Sequence, residues 1–127
     1  MRTRLAFGEK PLDWVGSSKQ DFLAFPNPVQ REIGNALGLA QFGGKHPHAK
    51  PWKGEGPGVF EVVDGFDGDT YRAVYTVRFR RVVYVLHAFQ KKSPRGKRTA
   101  RTDVDLIARR LKIARQDYEA RYGKSER

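Results

Sequence analysis

Residues 71–92 read YRAVYTVRFRRVVYVLHAFQKK, two apolar runs joined by a short basic link and followed by two lysines. Both runs, residues 71–77 and 82–89, are rich in valine and aromatic side chains, which fit a pleated and half-buried surface. The link of residues 78–81 is short enough to join two antiparallel strands. The sequence therefore predicts a central β-hairpin, on which most of the functional inferences depend.

The pairing of this hairpin decides which polar side chains share a face of the sheet. A symmetric turn centred between Phe79 and Arg80 pairs residues whose numbers sum to 159, which sets Arg72 opposite His87. The Cβ atoms of directly opposed residues lie roughly 5 Å apart on one face. The hairpin therefore predicts that Arg72 and His87 are close neighbours.

A third strand extends this row. Residues 59–63 (VFEVV) are mostly apolar and are followed by Asp-Gly pairs, which favour tight turns. A turn centred between Phe66 and Asp67 has a pairing sum of 133 and sets Glu61 opposite Arg72. A one-residue slip in either hairpin would break the row, because side chains alternate between the two faces. An ordinary cross-strand ion pair also accounts for Glu61 beside Arg72, without any chemistry.

The positive charge is concentrated in the second half of the chain. The 127 residues carry a formal net charge of +11. Residues 1–71 hold 8 Lys and Arg against 9 Asp and Glu, whereas residues 72–127 hold 17 against 5. Residues 90–101 (QKKSPRGKRTAR) contain no acid. This distribution predicts a polyanionic partner, although a basic run is often no more than a solvated loop.

The composition limits the class of protein. A chain of 127 residues fits one domain, which we expect at residues 11–123, with tails at residues 1–10 and 124–127. There is no cysteine, hence no disulfide framework and no thiolate chemistry, which fits a reducing cytoplasm. No apolar leader and no run near the ~20 apolar residues of a membrane span is present. We therefore expect a cytoplasmic protein with no membrane partner.

A short strand and a short helix are expected ahead of the sheet. Residues 12–15 read as the strand, and Ser17 or Ser18 can cap the helix because a serine hydroxyl accepts from a backbone N–H of the first turn. Pro26 ends this helix. Its inward-facing side chains are predicted to be Phe22, Leu23 and Phe25.

A second helix follows at once. It begins at Asn27 and Pro28, a cap followed by a proline at the first helical position, and ends at a Gly-Gly pair. Its apolar stripe consists of Val29, Ile33, Leu37 and Ala40. Gly34 and Gly38 inside the helix each cost roughly 1 kcal/mol relative to Ala. They therefore predict a close approach of a neighbouring backbone.

The segment between this helix and the sheet reads as a loop. Residues 43–58 (GGKHPHAKPWKGEGPG) are dominated by glycine, proline and lysine. His46 and His48 flank a proline with no cysteine and no third ligand nearby, so the pattern predicts no metal site. Lys50 and Lys53 lead directly into the strand at residues 59–63, which makes them candidates for binding an anion.

A long final helix follows the basic run. Thr102 can cap it, and Asp103 and Asp105 lie in its first turn, where the positive end of the helix dipole favours acids. Its apolar face consists of Val104, Ile107, Leu111, Ala114, Tyr118 and Tyr122. A helix hairpin, a small antiparallel sheet and a C-terminal helix in this order define an α+β fold.

Four motifs resemble a known family. AKPWKG at residues 49–54, VFEV at 59–62, YRAVY at 71–75 and VYVLHAFQKKS at 83–93 are similar to the HigB-like, phage-derived branch of the RelE/ParE superfamily of type II toxins. The resemblance runs from Trp14 to about Leu111. It implies a RelE/ParE-like α+β fold, with an N-terminal helix hairpin packed on a small antiparallel sheet.

The resemblance also implies an activity and partners. Toxins of this kind are metal-independent endoribonucleases that need no cofactor, cut messenger RNA in the ribosomal A site and thereby inhibit translation. Each is encoded beside an antitoxin that binds and inhibits it, which in the HigB-like branch is usually a helix-turn-helix DNA-binding protein. The chain is therefore expected to have the translating ribosome and an antitoxin as partners.

The four motifs imply candidate site residues at the positions of this chain that match the functional residues of the family. The lysines of the loop before the sheet fall on Lys50 and Lys53, and the arginine of the YR-hydrophobic-VY strand falls on Arg72. The basic pair that closes the last strand falls on Lys91 and Lys92. Further cations for RNA binding are expected in the basic run, at Arg95, Lys97 and Arg98.

Metal-free cleavage of RNA gives these residues roles. The 2′-hydroxyl attacks the adjacent phosphorus, and fixed cations best stabilise the charge of the phosphorane. Arg72, Lys91 and Lys92 suit that task. A histidine is the side chain whose ordinary pKa lies near neutrality, so His87 is a candidate general acid or base, but a buried strand histidine is an equal alternative. Glu61 is either the base or the group that orients Arg72, and orientation is favoured.

The sequence departs from the RelE pattern in one place. RelE-type members carry an aromatic residue near the start of the final helix that stacks on the substrate base, where this chain has Thr99, Thr102 and Asp105. Tyr118 and Tyr122 lie too far along to replace it. Two other functions stay open, a ParE-like inhibitor of DNA gyrase that cuts no RNA and a basic RNA-binding module without catalysis.

Overall fold

The computed structural model describes residues 5–91 and 99–126. Its strands are β1 (Leu12–Trp14), β2 (Ala49–Pro51), β3 (Val59–Phe66), β4 (Asp69–Thr76) and β5 (Val83–Lys91). Its helices are α1 (Ser18–Leu23), α2 (Asn27–Gln41) and α3 (Arg101–Tyr122), followed by a short 3-10 helix (Lys124–Glu126). The strands form one sheet in the order β1-β5-β4-β3-β2. The predicted α+β fold, with its helix pair and C-terminal helix, is confirmed.

Two short strands at the edges complete the sheet. β1 pairs with β5 in parallel, and all other neighbours are antiparallel. The sequence predicted a strand at residues 12–15 but not its partner. β2 lies inside residues 43–58, so the prediction of an unbroken loop there was wrong. Its Lys50 pairs opposite Glu61 of β3.

The turn between β3 and β4 lies one residue later than predicted. Asp67 and Gly68 have φ angles of 53° and 83°, and two successive residues with positive φ form the tight hairpin turn that Asp-Gly favours. Glu61 therefore lies opposite Val74 and not opposite Arg72. The pairing sum is 135 instead of 133, and this even shift keeps Glu61 and Arg72 on one face.

The register between β4 and β5 also differs from the prediction. Arg72 lies opposite Phe89, and Val74 lies opposite His87, so the pairing sum here is 161 instead of 159. The predicted direct pairing of Arg72 with His87 was therefore wrong. In the structure, Val74 of β4 lies between Glu61 of β3 and His87 of β5. Arg72 precedes Val74 by two residues on β4 and therefore lies on the same face of the sheet.

A β-bulge explains this second difference. Tyr75 pairs with Val85 and Val74 with His87, which leaves Leu86 as an extra residue between them. Between the turn and the bulge the pairing sum is 160, which is one more than predicted, and this change alone would have placed His87 on the other face. Beyond the bulge the sum is 161, and His87 is again on the same face as Glu61.

Each face of the sheet has its own hydrophobic core. One core joins α1 and α2 to alternate strand residues, and the other joins α3 to the opposite set. The predicted stripe on α2 is confirmed, since Val29, Ile33, Leu37 and Ala40 are all buried. The apolar face of α3 is also confirmed from Ile107 to Tyr118. No helix in residues 5–91 and 99–126 has the length and apolar character needed to cross a membrane.

Several helix details differ from the predictions. Ser17 holds the N-cap position of α1, but its hydroxyl donates to Asp21 instead of accepting from the backbone. Leu23 is 55% exposed, so the inward placement predicted for it was wrong, whereas Phe22 and Phe25 are buried.

The other two helices begin and pack differently from the predictions as well. Asn27 is already helical after a non-helical Pro26, and α3 begins at Arg101 with Ala100, not Thr102, as its cap. The predicted close approach at Gly34 and Gly38 is also wrong, because a Cβ at either glycine would meet no described atom within 4 Å.

Candidate active site

A buried ion pair lies at the centre of the α3 face. Arg72 Nη1 donates to Glu61 Oε1 at 2.6 Å, and each residue is 9% exposed. The same nitrogen lies 3.5 Å from the hydroxyl of Thr99, just before α3. Arg72 Nε is buried without a hydrogen-bond partner among residues 5–91 and 99–126. A planar guanidinium held by a carboxylate on one side keeps its remaining donors in a fixed direction.

This ion pair faces a cleft of about 400 Å³. The residues that line it are Lys50, Pro51, Trp52, Lys53, Glu61, Arg72, Thr99 and Val104. Lys50 and Lys53 are exposed, whereas Trp52 is buried and packs in the core under α3. Two mobile ammonium groups thus flank a fixed guanidinium, an arrangement suited to an anion with several charges.

His87 is held by a contact with α3. Its Nε2 lies 2.7 Å from Asp103 Oδ1, and because a carboxylate only accepts, Nε2 carries the hydrogen. The ring stacks on Phe89 with centroids 4.5 Å apart, and Nδ1 is buried without a partner in the described part of the chain. His87 is not among the residues that line the cleft. Neither ring nitrogen is therefore open to a substrate in this conformation.

The other predicted cations lie at or beyond the end of β5. Lys91 is the last residue of β5, lies opposite Thr70 and is half-buried. It follows Phe89 by two positions and so projects from the same face as Arg72, two pairs further along the ladder. The remaining predicted cations, Lys92, Arg95, Lys97 and Arg98, lie outside the described residues.

Arg78 anchors the loop that carries Lys53. Its Nη2 donates to the carbonyls of Glu55 and Pro57, and its Nε donates to Pro57 as well, at 3.1 Å. Gly58 has a φ of 87°, and a Cβ there would lie 3.2 Å from the Arg78 backbone. These contacts fix the course of the loop between β2 and β3.

Sequence reasoning missed Asp103 and Arg110 as parts of this face. Asp103 was interpreted only as an acid in the first turn of a helix. Both residues share one stripe of α3 with Ile107 and Ala114, at spacings of three and four. Charged residues that interrupt an apolar stripe were the available signal, because a buried charge needs a partner.

Two histidines and an acid meet on the opposite face. Glu32 Oε2 lies 3.2 Å from His46 Nε2 and 3.5 Å from His48 Nδ1, and these three atoms are close enough together for a metal ion. The backbone N–H of His48 donates to His46 Nδ1 at 3.0 Å. A neutral His46 ring then carries its proton on Nε2, which lies within ion-pair distance of Glu32. The sequence showed no third ligand near the two histidines, and the fold brings Glu32 of α2 beside them.

Comparison with solved structures identifies the fold. A mutant of the E. coli toxin RelE in the free state superposes with a TM-score of 0.53, covering 83% of this chain and 97% of that chain at 15% identity. Among curated proteins there is no significant match. The chain therefore has the same fold as this RelE structure, which agrees with the RelE-like fold that the sequence motifs predicted.

A family model then places the chain within that class. Residues 20–112 match the family described as Phage derived protein Gp49-like (DUF891). The matched region begins in α1 and ends in α3, so it contains the whole candidate site that the structure describes. The chain belongs to this Gp49-like family, and the predicted phage-derived branch of RelE-type proteins is confirmed.

Proposed function

We propose that the protein is the toxin of a type II toxin-antitoxin system and that it cuts messenger RNA on translating ribosomes. The observation that carries this proposal is the Arg72–Glu61 pair, fixed on a RelE-type sheet beside a cleft flanked by two exposed lysines. We assign the activity to one domain, residues 11–123, acting in the cytoplasm without a cofactor.

The chemistry is an in-line displacement at phosphorus. The 2′-hydroxyl loses a proton, its oxygen bonds to phosphorus, and the bond to the 5′-oxygen breaks as that oxygen takes up a proton. The products are a 2′,3′-cyclic phosphate and a 5′-hydroxyl. Arg72 stabilises the phosphorane charge, since preorganised donors act most strongly where charge develops. Glu61 orients Arg72 through their hydrogen bond.

The remaining cations position the RNA. Lys50 and Lys53 hold the phosphates on either side of the scissile bond, and Lys91 with Lys92 adds charge at the end of β5. We also assign RNA binding to Arg95, Lys97 and Arg98, on the basis of their positive charge in the sequence. Because each neutralised phosphate releases counterions, the binding of RNA weakens steeply with salt.

We give His87 a holding role and not a proton-transfer role. Both ring nitrogens are enclosed, one by Asp103 and one by burial. A group that transfers a proton must reach the reacting oxygen directly or through one water. In this proposal His87 therefore holds the first turn of α3 against the sheet.

Primer extension on a reporter messenger RNA in a reconstituted translation mix tests the function. We expect cuts on translated message and none on naked RNA treated with EDTA. The matched variant is Arg72→Lys, which retains the charge beside Glu61 but loses the planar fork. Loss of one fixed donor typically costs roughly 10²–10³ in rate, so we expect a decrease of that order.

Other outcomes would contradict the proposal. Growth arrest with intact message and damaged DNA would indicate a gyrase inhibitor. Salt-sensitive RNA binding without any product would indicate a binding module.

We also propose an antitoxin partner, a helix-turn-helix DNA-binding protein whose co-expression restores growth.

A further inference from the structure

The bulge at Leu86 determines where His87 points. Tyr84 and Leu86 face α3, and without the extra residue His87 would face α2 together with Val83 and Val85. A bulge interrupts the ladder and leaves the backbone of its extra residue without a matched partner on the neighbouring strand. A group that forms a hydrogen bond with the backbone of Leu86 therefore stabilises the orientation of His87.

Arg110 of α3 supplies that partner. Its Nη1 donates to the carbonyl of Leu86 at 3.0 Å, and its Nη2 donates to Ser17 Oγ at 3.1 Å. The Ser17 hydroxyl in turn donates to Asp21 at 2.8 Å. One guanidinium thus connects the bulge of β5 to the start of α1.

The surroundings of Arg110 are shaped to hold a guanidinium. Arg110 is 8% exposed, and its burial lowers its pKa, an effect that Asp21 opposes. Gly16 has a φ of 58°, and a Cβ there would lie 2.8 Å from Arg110 Nη2. A buried charge carries a desolvation cost, so the fold retains Arg110 at a cost in stability that a neutral residue would avoid.

We propose that Arg110 is a positioning residue, which holds the Leu86 bulge open and thereby directs His87 onto Asp103. The contact between His87 and Asp103 fixes the first turn of α3, next to Thr99 and its contact with Arg72. Arg110 is therefore connected to the cleft through the backbone of β5 and the start of α3, without lining the cleft itself. The effect on cleavage rests on the proposed function, but the effect on His87 does not.

Nuclear magnetic resonance of the His87 ring measures the effect of Arg110 on His87 directly. In ¹⁵N-labelled protein we expect a protected Nε2–H resonance for His87, which is assigned by its loss in His87→Gln. Arg110→Met keeps the apolar stem and removes both donors, so this resonance should disappear or exchange rapidly. Arg109→Met is the matched control, because Arg109 is exposed on the same helix, and the resonance should be unchanged. A protected His87 resonance in folded Arg110→Met overturns the proposal.

A second variant decides the question if Arg110→Met does not fold. Arg110→Lys keeps the charge but does not reproduce the planar fork that donates to both Leu86 and Ser17. Protection of the His87 Nε2–H should then be lower than in the unaltered protein. Protection equal to that of the unaltered protein overturns the proposal.

Cleavage kinetics give an independent measurement. Displacement of a site by ~1 Å can cost on the order of 10²-fold in rate, and we expect a loss of that order in Arg110→Met. In the His87→Gln background the same substitution should add little, because both changes act through one contact. Fully additive losses would overturn the coupling. If the unaltered protein cuts no RNA, the proposed function fails while the spectra still decide the role of Arg110.

Discussion

The two faces of one sheet are built on different principles. The face toward α1 and α2 is covered by aliphatic and aromatic side chains, among them Val62, Tyr75 and Val85. The face toward α3 has a core of its own but also buries Glu61, Arg72 and His87, and Arg110 reaches it from the helix. The strands are the same, so the difference arises from alternation and from one bulge. One face thus serves as an apolar core, whereas the other combines a core with the candidate active site.

Breaking the ion pair on the α3 face should give the largest effect. Glu61→Ala leaves Arg72 buried without its carboxylate, and removing one partner of a buried pair costs about 3–5 kcal/mol. The double replacement Glu61→Leu with Arg72→Met should unfold at nearly the concentration of urea needed for the unaltered protein, because it removes the uncompensated charge. Urea unfolding monitored by circular dichroism measures both.

The activity of the double replacement completes this test. We expect no cleavage from it, even though its stability is retained, because the proposed function assigns stabilisation of the phosphorane to Arg72. A double variant that is as unstable as Glu61→Ala would show instead that the α3 face depends on this pair for its fold.

A cavity in the core between the sheet and α2 should lower stability and leave the cleavage rate unchanged. Ile33 is fully buried in α2, and Ile→Ala substitutions in a core cost about 2–5 kcal/mol. We expect Ile33→Ala to lower the free energy of unfolding by that amount while the cleavage rate per folded molecule is unchanged. Leu39→Ala on the same helix is the control, because Leu39 is 43% exposed and its truncation should cost within about 0.5 kcal/mol. A fall in cleavage rate with Ile33→Ala would mean that the two faces are coupled.

The smallest effect is expected at alkaline pH. Burial raises the pKa of Tyr75 on the α2 face to about 12, from 10.0. Burial raises the pKa of Tyr84 on the α3 face further, and its hydrogen bond to Asp117 adds to the shift. Above pH 10 the unfolded chain loses phenolic protons that the folded protein retains, so this contribution to stability is full below pH 10 and is lost as pH rises.

Substitution separates the contributions of the two tyrosines. Tyr84→Phe and Tyr75→Phe should each reduce the alkaline slope of the free energy of unfolding by a similar amount, because burial raises both pKa values well above 10 and both phenols stay protonated in the folded protein. Urea unfolding at several pH values between about 8 and 11 measures the slope. An unchanged slope in either variant would show that the folded protein does not hold that phenol in its protonated form.

Much of the fold was predictable because it follows from local patterns. The run of valine and aromatic residues at 71–77 and the stripe on α2 are visible in a short window of sequence. The sequence also predicted correctly that Glu61 and Arg72 are neighbours, although the predicted pairing sum at these residues was too low by two in each hairpin. An even error keeps both side chains on one face, and a long arginine spans the diagonal.

The rest depends on contacts that no short window contains. The turn at Asp67 and Gly68 could be placed from their preference for positive φ, but the bulge at Leu86 has its hydrogen-bond partner, Arg110, far along the chain. The partner of His87 is Asp103, on a helix whose exact start the sequence did not define. The roles of Lys92 and the other cations outside the described residues stay predictions.

The parallel pairing of β1 with β5 has a consequence for the order of folding. The strands β3, β4 and β5 are consecutive and joined by short turns, so they can assemble while the rest of the chain is unfolded. Trp14, in contrast, meets Val85 only after most of the intervening chain has been enclosed in a loop. Contacts between residues distant in sequence are slow to form, because the entropy of loop closure must be overcome first. We therefore expect the meander to form early and the N-terminal strand to join it late, as the step that limits the rate.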